Sequence, residues 1–163
     1  DALYNILEEI YPDEVTRYHS RVKPERRKKQ LLFDFLQGKR KIMIATSAFS
    51  MGIDVSDIEL VVHFNAPISM TDYIQQIGRA GRDGRKAHCI LFYDQNNDDD
   101  AISNSFIKKA KAAKTIKSKL NQVHDFIHSD SCMVCDILEY QGQHEVKTCK
   151  RCTVCAQKRR NSR

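Results

Sequence analysis

The chain has 163 residues, 41% hydrophobic and 29% charged, enough for one ordinary domain with an appendage. No apolar run approaches the roughly 20 residues of a membrane span, and no export signal is recognisable, so a cytoplasmic protein with no membrane partner is expected. The net charge of +6 is uneven: residues 104–163 carry 13 basic against 5 acidic side chains, whereas residues 1–103 carry 14 against 16. A basic block of this kind suits nucleic-acid phosphate, with Lys108 and Lys111 as candidate contacts; a solvated lysine-rich helix face is the alternative. Asp1 is not an initiator methionine, which suggests a piece of a longer polypeptide.

In chain order, residues 24–37 open with proline and set Leu32, Phe35 and Leu36 on one face, predicting a helix. Lys41–Thr46 (KIMIAT) follows as a short β-branched run. Leu60–Phe64 (LVVHF) and Cys89–Tyr93 (CILFY) repeat the pattern. All three are apolar nearly throughout, the signature of parallel strands buried on both faces, and Cys89 is expected in the core. Between the last two, Ser69–Gln76 begins S-M-T-D, a capping-box-like helix start with Asp72 in the place usual for Glu or Gln. Alternation of strand and helix predicts an open α/β sheet. The polar stretch Gln95–Asp100 (QNNDDD) then ends this pattern, placing a domain boundary between residues 96 and 97. A lysine-rich periodic segment, Ala101–His128, follows with Ile102, Phe106, Ile116, Leu120, Val123 and Ile127 facing inward.

The segment Gln75–Gly84 carries the chemistry. Glycines at 78, 81 and 84 cost a plain surface helix roughly 1 kcal/mol each, but they let the backbone turn tightly and approach a ligand. Arg79 and Arg82 project from this short stretch, and two neighbouring guanidiniums repel unless a highly charged anion lies between them. A nucleotide γ-phosphate fits, since phosphoryl transfer depends on positioning and charge neutralisation.

Gln75-x-x-Gly78-Arg79-x-Gly81-Arg82 resembles motif VI of superfamily-two helicases, and the longer string GRAGRDG with the preceding Tyr73-x-Gln75 resembles the RecQ branch. That resemblance implies that Arg82 reaches the γ-phosphate of ATP held by a neighbouring RecA-like lobe, that Arg79 assists, that Gly78 lets the backbone come close, and that Gln75 couples the nucleotide site to the DNA-facing side. Upstream, Ala45-Thr46-x-Ala48-Phe49-x-Met51-Gly52-Ile53-Asp54 resembles motif V. Thr46 and Ser47 would then lie near nucleic-acid phosphate, and Gly52 and Asp54 near the nucleotide, in keeping with ligands gathering at the carboxyl ends of strands in open α/β sheets. Tyr18-His19 followed by Arg26 and Arg27 is similar to the family's tyrosine-histidine segment. Departures include Ser50, Glu59 and Gln76.

Five of the six cysteines fall in 132–155, favouring metal ligation in a reducing compartment over a disulfide scaffold. Cys149, Cys152 and Cys155 are spaced by two residues each, and Cys132 precedes them by 17 positions. Cys135 forms a further C-x2-C with Cys132, so five thiols compete for four tetrahedral zinc positions; Cys132, Cys135, Cys152 and Cys155 are an alternative set. The RecQ resemblance implies Cys132, Cys149, Cys152 and Cys155, with Cys135 a bystander or spare ligand; His144 is a rival ligand by residue type, though a surface histidine is expected. Four thiolates close the coordination sphere, implying a structural Zn2+.

Taken together, the resemblance implies residues 1–96 as a second RecA-like helicase lobe, α/β with a parallel sheet, and 97–163 as a small helical zinc-binding domain. The implied parent is an ATP-dependent 3′–5′ DNA helicase using ATP and Mg2+ and acting on single strands and duplex junctions. No G-x-x-x-x-G-K-[ST] phosphate loop occurs in these residues, so the first RecA-like lobe of the same polypeptide must supply it, and this part alone is expected to be inactive. The alternatives are a non-catalytic zinc-dependent DNA-binding module and an RNA helicase of the DEAD-box kind.

Overall fold

A computed structural model describes residues 2–46, 49, 55, 57–94 and 113–162. The expected 96/97 boundary lies outside them, as do Ser47, Gly52, Asp54, Lys108 and Lys111. The chain divides into two compact units, residues 1–59 with 79–87, and residues 60–78 with 88–163.

The first unit begins with helix α1 (Ala2–Ile10), strand β1 (Val15–Tyr18), helix α2 (Glu25–Leu36) and strand β2 (Ile42–Ala45). The strands pair in parallel with Val15 opposite Ile42 and Tyr18 opposite Ala45. Val15 and Thr16 are 2% and 1% exposed and form the centre of this unit. Pro24, extended at φ −71° and ψ 168°, is the N-cap of α2; its fixed φ suits a helix entrance, where a missing N–H costs nothing. Phe35 of α2 meets Phe49 edge-on at 6.2 Å, and Tyr18 of β1 does the same at 5.8 Å. This aromatic triad fastens α2 over the sheet. On the other side, the Arg17 guanidinium lies 4.7 Å from the Tyr4 ring centre, tying β1 to α1.

The second unit pairs β3 (Leu60–His63) in parallel with β4 (His88–Leu91), Leu60 opposite His88, and carries α3 (Met70–Ile77). It continues into α4 (Ala113–Ile127), α5 (Met133–Tyr140) and α6 (Thr153–Asn161). Its core is Met70 and Tyr73 from α3 against Val123 and Phe126 from α4, with Ile137 and Met133 of α5 packed alongside. The helix bearing the Tyr-x-Gln sequence thus shares one apolar core with α4 and α5. Each of these four side chains removes apolar surface worth about 1.5–3 kcal/mol. Thr71 and Tyr140 add a hydroxyl pair at 3.1 Å. Of the expected inward positions, Ile116, Leu120, Val123 and Ile127 of α4 are buried or half-buried, and Ile102 and Phe106 lie outside the described residues.

The expectation of strands buried on both faces does not hold within this unit. Along β3 burial alternates: His63 is buried, whereas Leu60, Val62 and the adjoining Phe64 are 51%, 46% and 63% exposed. Cys89 is likewise exposed rather than a core residue. Side chains on a strand point alternately to opposite faces, and an apolar run says nothing about whether both faces are covered.

Candidate functional site

The arginine segment starts at the C-terminus of α3. Ser69 caps the helix start, its Oγ accepting the Asp72 amide at 3.1 Å and donating to the Asp72 carboxylate at 2.7 Å, so the Ser69 half of the expected capping box forms, and the Asp72 carboxylate bonds the Ser69 hydroxyl rather than its backbone amide. Gly78 is the C-cap, and a Cβ there would stand 3.0 Å from the Ile74 carbonyl oxygen. A side chain there would need only a small shift, since its φ of −65° is open to any residue. Gln75 is exposed on α3. The next residue, Gln76, bonds to His63 Nε2 at 2.7 Å, and the His63 ring lies 5.1 Å from that of Tyr73. Burial pushes the His63 pKa below its usual value despite the opposing Gln76 hydrogen bond, and burial raises the Tyr73 phenol to about 12.

Residues 79–87 belong to the first unit. Ala80 forms a parallel bridge to Ile58, and the Gly81 amide donates to the Ile58 carbonyl at 2.9 Å. Gly81 has φ +67°, and a Cβ there would lie 2.9 Å from the Arg85 carbonyl oxygen and 3.2 Å from Ala87 Cβ. Only glycine fits this left-handed, crowded position. The turn closes with the Gly84 amide donating to the Gly81 carbonyl at 3.0 Å.

The arginines of this loop differ in their surroundings. Arg85 Nε donates to Asp83 Oδ2 at 2.6 Å, its amide to Asp83 Oδ1 at 3.0 Å, and its Nη1 to Glu59 Oε1 at 3.2 Å. The Arg85 amide and guanidinium hold the Asp83 carboxyl below its usual range, and the Asp83 carboxylate raises the Arg85 pKa in return. Arg85 therefore belongs to a charge network that braces the turn. Arg79 is half-buried and Arg82 exposed, with Gly81 between them. Thr46, just beyond β2, is exposed; its amide bonds to the Tyr18 carbonyl at 3.3 Å and its carbonyl accepts the Phe49 amide at 2.9 Å.

The second constellation is the cysteine cluster. One Sγ from each of Cys132, Cys149, Cys152 and Cys155 lies within 4.8 Å of all the others, and Cys132 Sγ and Cys152 Sγ are 4.0 Å apart. A regular tetrahedron with metal–sulfur bonds of about 2.3 Å has edges of about 3.8 Å, so these donors fit one zinc ion with small adjustment. Backbone amides turn toward the sulfurs: Cys149 N to Cys132 Sγ at 3.3 Å, and Arg151 N and Cys152 N to Cys149 Sγ at 3.4 and 3.2 Å. Such donors favour thiolate over thiol. Burial pushes the Cys132 thiol up, but the amides of Cys149 and Cys135 outweigh it and bring it to about 6. Burial and thiol neighbours raise Cys155 to about 12. Lys150 makes the turn between Cys149 and Cys152 at φ +59°, and Arg159 Nη2 of α6 clasps its carbonyl at 2.5 Å.

Cys135 stands outside this set of four, its thiol donating to the Val146 carbonyl at 3.5 Å. His144 is exposed and also outside it. Cys132 is the N-cap of α5, which ends at Tyr140 before Gly142 at φ +83°. Sequence reasoning missed the Arg85–Glu59 contact and the His63–Gln76 pair. The departures at Glu59 and Gln76 were the available signals.

Residues 2–84 match the helicase conserved C-terminal domain. Among curated relatives, the chain is 36% identical over 146 residues to the ATP-dependent DNA helicase RecQ of Bacillus subtilis, covering 88% of this chain and 24% of that protein. It is also 36% identical over 141 residues to the putative ATP-dependent RNA helicase R290 of Acanthamoeba polyphaga mimivirus, covering 85% of this chain and 25% of that protein. The chain thus spans about a quarter of the length of these relatives. Among solved structures, the yeast DEAD-box splicing factor Prp28 is similar with a TM-score of 0.53 and 27% identity, covering 74% of this chain and 28% of that one. The glycine-arginine loop, the parallel strand pairs and the matched residues agree: this chain, similar in sequence to RecQ helicases, belongs to the helicase conserved C-terminal domain family and is RecA-like in fold.

Proposed function

We propose that the chain is the second motor lobe and zinc module of a RecQ-type, ATP-dependent 3′–5′ DNA helicase. In this reading Arg82 reaches the γ-phosphate of ATP bound with Mg2+ on the first RecA-like lobe of the same polypeptide. Arg79 assists, and Gln75 communicates with the DNA-facing side. The observation that supports it most is the glycine loop of residues 78–84, whose Gly81 position admits no side chain and whose turn is braced by Asp83, Arg85 and Glu59. Such bracing holds the arginine backbone still, and a preorganised cation stabilises transferring phosphoryl charge far better than one that must reorganise.

Thr46 and Ser47 contact strand phosphate, Gly52 and Asp54 serve the nucleotide, and Lys108 and Lys111 add salt-dependent affinity for DNA. Cys132, Cys149, Cys152 and Cys155 hold a structural zinc, which supplies folding energy and no reaction step. The two domains are 1–96 and 97–163, and the protein works in a reducing, cytoplasmic setting. Because no phosphate loop occurs in these residues, this part alone does not hydrolyse ATP.

The similarity to a protein named as an RNA helicase favours one alternative, action on RNA. Strand displacement by the full-length protein decides between them. Faster ATP-dependent opening of a DNA duplex with a 3′ single-stranded tail supports the proposal. Preferential opening of RNA overturns it.

A further inference from the structure

Five thiols meet where zinc needs four, and the fifth has a definite place. Cys132 is the N-cap of α5, and Cys135 follows one helical turn later in the same helix. Side chains three apart on a helix are neighbours, with Cβ atoms about 5–6 Å apart, and Cys135 is the third residue of the helix that Cys132 caps. A disulfide requires Cβ atoms about 3.5–4.5 Å apart. Only a slight tightening of the first turn separates the two distances, and Cys132, outside the helix proper, can supply it. The Cys135 thiol meanwhile donates to the Val146 carbonyl at 3.5 Å, so it is not needed by the four-sulfur set.

We propose that Cys135 is an oxidation site, the resolving thiol for Cys132, through which peroxide releases the metal. The inference rests on the proposed zinc site. The Cys132 thiolate attacks hydrogen peroxide, its sulfur gaining one oxygen as the O–O bond breaks, to give sulfenic acid and hydroxide. The Cys135 thiol then attacks that sulfur; an S–S bond forms, the S–O bond breaks, and the departing hydroxide takes the thiol proton as water. Two sulfurs lose two electrons to one peroxide. Cys132 is thereby withdrawn from the metal, leaving Cys149, Cys152 and Cys155, a set of three with an open position. The proximity of Cys135 favours the disulfide over further oxidation, and a dithiol with added zinc reverses it.

The test uses the full-length protein. Native mass spectrometry first establishes zinc content before oxidation, and hydrogen peroxide is then added while a chromogenic chelator follows zinc release. Peptide mapping identifies the disulfide. The expected wild-type result is one zinc released, a Cys132–Cys135 disulfide, and recovery of zinc with dithiothreitol. Cys135→Ser and Cys135→Ala are expected to hold zinc before oxidation, to lack this disulfide, and to release zinc on the order of tenfold more slowly, since an intramolecular partner is lost. Release at the wild-type rate from both variants overturns the proposal, as does a disulfide confined to Cys149, Cys152 and Cys155. Zinc loss from both variants before peroxide makes Cys135 a ligand and overturns it too. Absence of zinc from unoxidised wild type would instead sink the zinc site itself, and this inference with it.

Discussion

Removing the Phe126 ring tests whether α3, α4 and α5 form one cooperative body. Phe126 is 6% exposed, and its ring lies 5.4 Å from that of Tyr73, tilted by 52°. Phe126→Ala forfeits the buried ring and leaves a cavity, costing about 3–5 kcal/mol. Tyr73, 5% exposed, is expected to cost a similar amount on truncation. The aromatic contact itself adds about 0.5–1.5 kcal/mol. Tyr73→Ala with Phe126→Ala should therefore cost less than the sum of the two singles by about that amount. Urea unfolding of the wild type, both singles and the double variant, followed by circular dichroism, gives the cycle. Additive losses, or a Phe126→Ala loss below about 1 kcal/mol, would refute the packing of α3 on α4.

Glycine substitutions in the arginine loop should separate by space. Gly81→Ala is expected to cost roughly 1–2 kcal/mol for its left-handed backbone and more for the clash with the Arg85 carbonyl, whereas Gly84→Ala, with nothing within 4 Å, pays only the backbone part; equal melting temperatures would contradict this. Lys150→Gly should bind zinc about as well as the wild type, while Lys150→Val, forced to φ +59°, should lose roughly 1–2 kcal/mol of zinc affinity by chelator competition. A Lys150→Val protein with unchanged affinity would contradict the turn. His63 has a lowered folded pKa, so its contribution to stability is fully present above its unfolded value of about 6.5 and is lost as pH falls toward and through the folded value. His63→Phe should therefore flatten stability against pH below about 6.5; an unchanged slope would contradict it.

The helix and strand segments with strong signals were legible within a residue or two. β2 sits inside the expected 41–46 run and α3 follows the Ser69 cap, because apolar runs and capping chemistry are local properties. α1 and β1 were not: Val15–Tyr18 is four residues with Arg17 among them, too short and too polar for periodicity to register. The exposure of Leu60, Val62 and Cys89 was equally illegible, since what covers a strand face is tertiary information. Arg79 and Arg82 stood out through their glycine spacing. The bracing contact of Arg85 was not legible, because its partner Glu59 lies 26 positions away. Among the cysteines, spacing alone left two sets open, and the direction of Cys135 toward Val146 depends on how α5 is rotated.

The claim on which the functional account turns is that Arg82 acts on a nucleotide held elsewhere in the same polypeptide. DNA-stimulated ATP turnover of the full-length protein carrying Arg82→Ala measures it most directly, alongside nucleotide binding and melting temperature as controls. The account predicts a fall in kcat on the order of 10³-fold, in the range of lost arginine fingers, with ATP binding, DNA binding and folding nearly unchanged. Turnover equal to that of the wild type would contradict it.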